Sequence, residues 1–212
     1  MQFEAMVFSA KSLFSVEKKT QTTIKKVRVS TEFPFDLGFR IIAAKSPAFQ
    51  GPGIYWVTYK GGLIYIGSYS STQPNLVHDR WVKHIQTFTN RGYRLGFNAQ
   101  TKKELIPKVL KGYYDRDYFR YCDTGTVTSL ERLGFASSYF DDFTLSDTNQ
   151  IIDDFKFYYC KLSNHQVVGG IEGSLIQKFR PVCNSSSPEV SDSESSAFNE
   201  IEHLLKDSLH GH

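Results

Sequence analysis

Residues 54–67 restrict the fold more than any other part of the chain, because they combine two strand-forming segments with a glycine-rich connection. Residues 54–59 and 63–67 consist largely of β-branched and aromatic residues, which favour extended backbone. Residues 60–62 include two glycines, and glycine readily adopts the positive φ that a tight connection needs. The segment therefore predicts an antiparallel β-hairpin.

An amphipathic helix is expected after the hairpin, over residues 76–88. Its apolar side chains recur at helical spacing, at Val77, Trp81, Ile85 and Phe88. Arg80 and His84 are one turn apart and flank this apolar stripe, so both side chains can lean toward the sheet on which the helix packs. A cation and an imidazole placed in this way are suited to the wall of a cleft.

A third strand and a second helix are expected late in the chain. Residues 155–162 have strand composition, and residues 171–180 have helical spacing that ends at Pro181. Glu172 lies on the apolar face of that helix, which also contains Leu175, Ile176 and Phe179. A carboxylate aligned with buried residues is costly unless it is paired, hydrogen-bonded or bound to a metal. Together these elements predict an α+β fold with a small three-stranded antiparallel sheet flanked by helices.

The rest of the chain is expected to elaborate this single domain. With 212 residues and 40% hydrophobic content, the chain can bury one good core. Residues 1–50 are interpreted as an N-terminal extension, and residues 51–184 as the core with an insertion at about 91–154. Residues 185–212 are interpreted as a flexible acidic linker and a short helix, which docks either on the core or on a second subunit.

These additions contain weaker local signals. They predict a strand around residues 26–30 and helices near residues 102–110, 129–135 and 198–209. The insertion carries basic residues at Arg91, Arg94, Lys102 and Lys103, whereas acidic residues gather in its last part and in the tail. Such segregation would let one face meet a polyanion such as DNA.

Composition excludes several classes of protein. The formal net charge of +3 is too small to identify a nucleic-acid partner by itself. Cys122, Cys160 and Cys183 lack the paired short spacing of a zinc site, and any disulfide scheme would leave one of them unpaired. No segment is apolar over a membrane-spanning length, and the first residues do not have the pattern of a signal peptide. We therefore expect a soluble cytoplasmic protein with no membrane partner.

Several motifs, taken together, are similar to those of one enzyme superfamily. In chain order they are Gly53-Ile54-Tyr55, Tyr65-Ile66-Gly67, Arg80 with His84, and Glu172 followed by Pro181 and Asn184. Over residues 51–88 and 155–184 this combination resembles the GIY-YIG nuclease superfamily. The chain departs from the usual pattern in a slightly shorter gap between the two triads, and in Ser68, where the family often has a lysine.

The resemblance implies hydrolysis of a phosphodiester bond with the help of a metal ion. Tyr55 would take the proton from the attacking water, and Tyr65 would orient or assist it. Arg80 would hold phosphate oxygens with its planar guanidinium, and His84 would relay a proton or hydrogen-bond Tyr55. Glu172 would hold a single Mg²⁺ or Mn²⁺ ion whose remaining ligands are water and phosphate oxygens.

Each of these residues also has an ordinary structural explanation. Tyrosines in strands are usually packing residues, and an Arg and a His one turn apart usually face solvent. Glu172, close to a helix N-terminus, could be favoured by the helix dipole alone. Asn184 has three possible roles: it orients the end of the Glu172 helix, it orients a phosphate, or it is a turn residue after proline. The joint occurrence of the motifs favours the catalytic interpretation.

Among nucleases, the pattern favours a compact, site-specific restriction endonuclease. One such centre cuts one strand, so cleavage of double-stranded DNA implies a homodimer or a higher homo-oligomer. The long segment between His84 and Glu172 has room for groups that read bases beside the scissile bond. Two alternatives are a phage-type homing or genome-exclusion nuclease, and a non-catalytic DNA-binding module that has kept the fold.

Overall fold

A computed structural model describes most of the chain, in ranges separated by gaps. The described residues are 3–20, 35–90, 95–97, 126–144, 150–163, 167–185 and 195–210. They form two compact units. The first comprises Met1–Leu13, Ala43–Asp79 and Ile152–His212, and the second comprises Phe14–Ile42 and Arg80–Ile151.

Strands and helices alternate irregularly along the chain. The strands are β1 (Ala5–Ser9), β2 (Phe14–Thr20), β3 (Phe35–Ile41), β4 (Gly53–Tyr59), β5 (Gly62–Tyr69), β6 (Leu95–Phe97), β7 (Thr126–Thr128) and β8 (Phe155–Lys161). The helices are α1 (Ala10–Leu13), α2 (Val82–Phe88), α3 (Leu130–Ser138), α4 (Phe140–Thr144), α5 (Val168–Phe179) and α6 (Ser196–His210). A 3₁₀ turn at Pro47–Phe49 precedes β4, and a π-helical turn at Val77–Trp81 leads into α2. The fold is therefore α+β.

The predicted hairpin is confirmed as β4 and β5, which pair antiparallel with Tyr55 opposite Gly67. Lys60 and Gly61 form its turn with φ values of 49° and 77°. Positive φ at both central positions is the requirement of the hairpin turn whose twist matches that of the strands. Gly62, which the sequence placed in the turn, instead begins β5.

The sheet of the first unit has four strands in the order β1-β8-β4-β5, so the prediction of three strands is not confirmed. The predicted third strand is present as β8 and lies beside β4. The additional strand is β1, which pairs antiparallel with the other edge of β8, from Ala5 opposite Cys160 to Ser9 opposite Lys156. An apolar segment of the N-terminal extension thus satisfies backbone groups that would otherwise be left at a sheet edge.

Two helices cover one face of this sheet and enclose the core of the first unit. The predicted late helix is α5, which contacts β5 and β4, and α6 packs beside it. Trp56 is fully buried under them, stacks on Tyr158 with ring centroids 5.2 Å apart, and donates a hydrogen bond from Nε1 to Ser208 Oγ at 3.0 Å. Of the two sites considered for the C-terminal helix, the structure places it on the core of its own chain.

The second unit is built from small sheets and short helices. β2 and β3 pair antiparallel, β6 and β7 pair parallel, and α2 contacts β3, β7 and α3. The helix predicted near residues 129–135 is confirmed as α3. None of the helices in the described ranges is long and apolar enough to cross a membrane.

Several sequence predictions lie outside the described residues. They are the strand at residues 26–30, the helix near residues 102–110, and the proposed DNA-contacting residues Arg91, Arg94, Lys102 and Lys103. Most of the predicted linker, at residues 186–194, lies outside them as well.

Candidate active site

The structure brings Tyr55 and Tyr65 together on one face of the hairpin. Because Tyr55 lies opposite Gly67 and Val57 lies opposite Tyr65, both tyrosines project from the same side of the sheet. Their ring centroids are 6.1 Å apart and the ring planes differ by 30°. Tyr55 is only 2% exposed, whereas Tyr65 is partly exposed. The pair therefore consists of one buried and one partly exposed tyrosine at neighbouring positions.

Gly67 makes this pairing of tyrosines sterically possible. A Cβ atom at residue 67 would lie 2.5 Å from both Cζ and the hydroxyl oxygen of Tyr55, and 2.8 Å from Cε1 of Tyr65. Carbon atoms do not approach non-bonded atoms this closely, since favourable contacts begin at about 3.5 Å. The Tyr55 hydroxyl thus lies directly over the backbone of Gly67, which gives the final glycine of the second triad a physical explanation.

Gly53 has a related role at the other side of β4. A Cβ atom there would lie 2.5 Å from both the Cys160 carbonyl oxygen and Cε2 of Tyr159. Tyr159 lies opposite Tyr55 on β8 and donates a hydrogen bond from its hydroxyl to the Gly51 carbonyl at 2.7 Å. Burial raises the pKa of Tyr159 well above its usual value. It is therefore a structural tyrosine on the same face, which the sequence analysis did not single out.

Glu172 reaches the same strand from the opposite face of the sheet. It lies in the second turn of α5 and is partly buried. Ser68 donates a hydrogen bond from Oγ to Glu172 Oε2 at 2.5 Å. Because successive strand residues point to opposite faces, Ser68 projects toward α5 while Gly67 lies under the Tyr55 hydroxyl. The phenol and the carboxylate therefore meet two consecutive residues of β5 from opposite faces of the sheet.

Asn184 forms hydrogen bonds with Ile66, the residue between Tyr65 and Gly67. Its Oδ1 accepts a hydrogen bond from the Ile66 N–H at 3.0 Å, and its Nδ2 donates one to the Ile66 carbonyl at 2.8 Å. The adjacent Cys183 N–H donates to the Ile64 carbonyl at 2.9 Å. Residues 183–184 therefore pair with the free edge of β5 as a short strand would.

The turn that carries Asn184 begins where α5 ends. Arg180 has a φ of 47° and donates from its N–H to the Ile176 carbonyl at 2.8 Å, after which Pro181 prevents the helix from continuing. Both atoms of the Asn184 carboxamide group are thus used by the Ile66 backbone. This placement favours a role in positioning β5 over the predicted contact with a phosphate.

We expect replacement of Asn184 by alanine or aspartate to destabilise the first unit by about 1–3 kcal/mol, because alanine loses both hydrogen bonds and aspartate loses the one to the Ile66 carbonyl. Aspartate keeps the acceptor for the Ile66 N–H but sets a second oxygen against the Ile66 carbonyl, so its similar size should not rescue stability. Urea unfolding would measure the change. Asn199→Ala, at an exposed position on α6, is the matched control. If the Asn184→Ala, Asn184→Asp and Asn199→Ala variants were equally stable, the hydrogen bonds from Asn184 to Ile66 would not stabilise β5.

Arg80 and His84 belong to the second unit, whereas Tyr55, Tyr65 and Glu172 belong to the first. Arg80 is exposed at the end of the π-helical turn. His84 is 6% exposed and stacks on Phe88 with centroids 5.5 Å apart.

Burial is the main cause that lowers the pKa of His84 well below its usual value. The positive charges of Arg132, Arg80 and Lys83 lower it further, in that order. Its imidazole is therefore neutral at pH 7, a state that can accept a proton or a hydrogen bond.

His84 should make the stability of the chain pH-dependent. Since its folded-state pKa lies below the ordinary 6.5, only the unfolded chain takes up this proton as the pH first falls below that value. We expect the free energy of unfolding to fall between pH 7 and pH 5, by at most about 1.4 kcal/mol per pH unit from this group.

Urea unfolding at pH 7, 6 and 5 measures this slope. His84→Gln should flatten it even if the variant is less stable overall, whereas His78→Gln, at an exposed position, should leave it unchanged. An identical slope for the wild type and His84→Gln would contradict the prediction.

The atoms around Glu172 are suited to a hard divalent cation. A carboxylate and a serine hydroxyl offer oxygen donors, which Mg²⁺ and Mn²⁺ prefer. Within the described residues there is no group of three or more His, Cys, Asp and Glu side chains that could hold a metal. Glu172 is therefore the candidate protein ligand for the Mg²⁺ or Mn²⁺ ion that the resemblance implies, with water and phosphate oxygens as the other ligands.

Comparisons of this chain with protein-family models, with curated proteins and with solved structures found no match.

Proposed function

We propose that this protein is a metal-dependent endonuclease of the GIY-YIG type that hydrolyses phosphodiester bonds in double-stranded DNA. The observation that supports this proposal best is that Tyr55 and Glu172 contact consecutive residues, Gly67 and Ser68, of the edge strand β5. A phenol and a carboxylate beside one edge strand would supply the proton acceptor and the metal ligand that this reaction requires.

Tyr55 is the proposed acceptor of the proton from the attacking water. Its buried ring packs against Tyr65 and lies over Gly67, so few orientations of its hydroxyl are open to it. A fixed hydroxyl reduces the entropy that would otherwise be lost when water and phosphate are brought into line. Tyr65, which is accessible beside it, is proposed to orient that water.

The remaining roles concern charge on the phosphate. A divalent cation bound at Glu172 would supply charge stabilisation on the phosphate and on the leaving oxygen. Arg80 offers an exposed, permanently charged guanidinium whose planar fork matches two phosphate oxygens. His84, buried and neutral, is proposed to accept a proton or a hydrogen bond.

Within this class we propose a site-specific restriction endonuclease that acts as a homodimer or a higher homo-oligomer, since each centre of this kind cuts one strand. The proposal assigns base reading to the insertion at residues 91–154, whose basic side chains include Arg91, Arg94, Lys102 and Lys103.

Digestion of several defined plasmids tests both the chemistry and the class. We expect discrete fragments with Mg²⁺ or Mn²⁺, and no cleavage with EDTA. Cleavage of branched DNA with none of intact duplexes would overturn the restriction role, and a single rare site would favour the homing alternative. Binding of duplex DNA with no cleavage under any divalent cation would favour the non-catalytic DNA-binding module.

A further inference from the structure

Ser68 links the hairpin to the Glu172 carboxylate through a hydrogen bond. Its Oγ lies 2.5 Å from Glu172 Oε2, although the two residues are far apart in the sequence. Ser68 lies opposite Ile54 and so projects from the face on which α5 packs. Both side chains are partly buried, which reduces competition from water.

We infer that Ser68 is a positioning residue that holds the Glu172 carboxylate in the orientation in which it binds a divalent cation. This inference rests on the proposed function and extends it to Ser68, at a position where the superfamily often has a lysine. Groups that hydrogen-bond a metal-binding side chain from behind typically change metal affinity by about 10–100-fold when removed.

The backbone that carries Ser68 is held more firmly than that of an ordinary edge residue. Two residues earlier, Ile66 is paired with both Trp56 and the Asn184 carboxamide. A glutamate side chain that must be ordered loses about 1.5–2 kcal/mol of conformational entropy. A hydroxyl donor on a fixed strand imposes that order before the cation arrives.

The chemistry of the donor also matters. A serine hydroxyl is uncharged, so it orients the carboxylate and leaves its negative charge available to the cation. An ammonium group at the same place would form an ion pair with Glu172 and compete with the cation for that charge. Ser68 therefore suits a site in which one carboxylate is the only charged protein ligand.

The test measures Mn²⁺ binding to the full-length protein by electron paramagnetic resonance, which detects the free ion and does not depend on DNA cleavage. We expect Ser68→Ala to weaken Mn²⁺ binding by about tenfold. Ser68→Thr keeps the hydroxyl and should retain wild-type affinity. The Mg²⁺ concentration for half-maximal plasmid cleavage should rise by a similar factor in Ser68→Ala alone.

Ser208→Ala is the matched control. It also removes a partly buried serine hydroxyl in the same unit, which accepts a hydrogen bond from Trp56 Nε1 and donates one to the Leu205 carbonyl, but it lies on α6. We expect it to lower thermal stability without changing Mn²⁺ affinity.

The outcomes separate the two proposals. Equal Mn²⁺ affinity of wild type and Ser68→Ala, with lost binding in Glu172→Gln, would overturn the role of Ser68 and leave the metal site intact. Equal affinity of wild type and Glu172→Gln would overturn the metal site itself. Loss of affinity in both Ser68→Ala and Ser68→Thr would show that packing, rather than the hydroxyl, is what matters at this position.

Discussion

Replacement of Glu172 by alanine is expected to reduce DNA cleavage by about 10³-fold or more, because the variant loses the only carboxylate proposed to hold the divalent cation. Without that ligand, neither the phosphate nor the leaving oxygen would be stabilised as charge develops. The carboxylate is partly buried and accepts a hydrogen bond from Ser68, so a thermal unfolding curve of the alanine variant is recorded beside its activity to show that it is folded. The proposed binding to duplex DNA should persist, because the affinity of a protein for DNA depends mainly on its basic residues.

The measurement is the rate of plasmid cleavage at saturating Mg²⁺, beside DNA binding in EDTA. Glu200→Ala is the matched control, since Glu200 is also partly buried and accepts a hydrogen bond, from the Phe3 N–H at 3.3 Å. It should cleave at nearly the wild-type rate. Cleavage by Glu172→Ala within a few-fold of the wild type would remove this residue from the mechanism.

Features set by local sequence were predictable. The β4–β5 hairpin follows from β-branched and aromatic residues on both sides of a glycine turn, and β8 follows from similar composition. The late helix also follows from its spacing, although it begins at Val168 and so includes two glycines that the sequence placed before it. In each case the information lies within about one element, where periodicity and turn chemistry act.

Features that depend on contacts between distant segments were not predictable. The pairing of β1 with β8 joins residues near Met6 to residues near Tyr159, and a short apolar segment does not specify which edge it will cover. The bonds from Asn184 to Ile66 and from Ser68 to Glu172 are of the same kind. A resemblance to a family can indicate that such residues are important, but only the three-dimensional structure identifies their hydrogen-bond partners.

His84 shows a further limit of predicting burial from the spacing of residues along a helix. Its position at the border of the apolar stripe is compatible with either a cleft or the core, because helical spacing does not show how deeply a side chain is buried. Packing of α2 against other elements of the second unit leaves the ring buried on Phe88 and close enough to Arg132 for that charge to lower its pKa. The protonation state that any mechanism must assume is therefore a consequence of tertiary packing.

Replacement of Gly67 by alanine is expected to destabilise the first unit by about 1–3 kcal/mol, because the new methyl group overlaps two tyrosine rings. It would lie 2.5 Å from the Tyr55 hydroxyl oxygen and from Cζ, and the buried ring has little space in which to retreat. Displacement of a catalytic group by about 1 Å can cost about 10²-fold in rate, so if Tyr55 has the proposed role, DNA cleavage should fall by at least this factor even where the variant is folded.

Gly62→Ala on the same strand provides the matched control for Gly67→Ala. A Cβ atom at Gly62 would have its nearest contact at 3.5 Å, with the Tyr59 carbonyl oxygen, which is an ordinary van der Waals distance. Its stability should therefore change by no more than about 0.5 kcal/mol. Urea unfolding and plasmid cleavage of the two variants separate a steric effect at the tyrosine pair from a general effect of alanine in β5. If Gly67→Ala matched Gly62→Ala in both measurements, close packing of Tyr55 over the strand would not be needed for either the fold or the reaction.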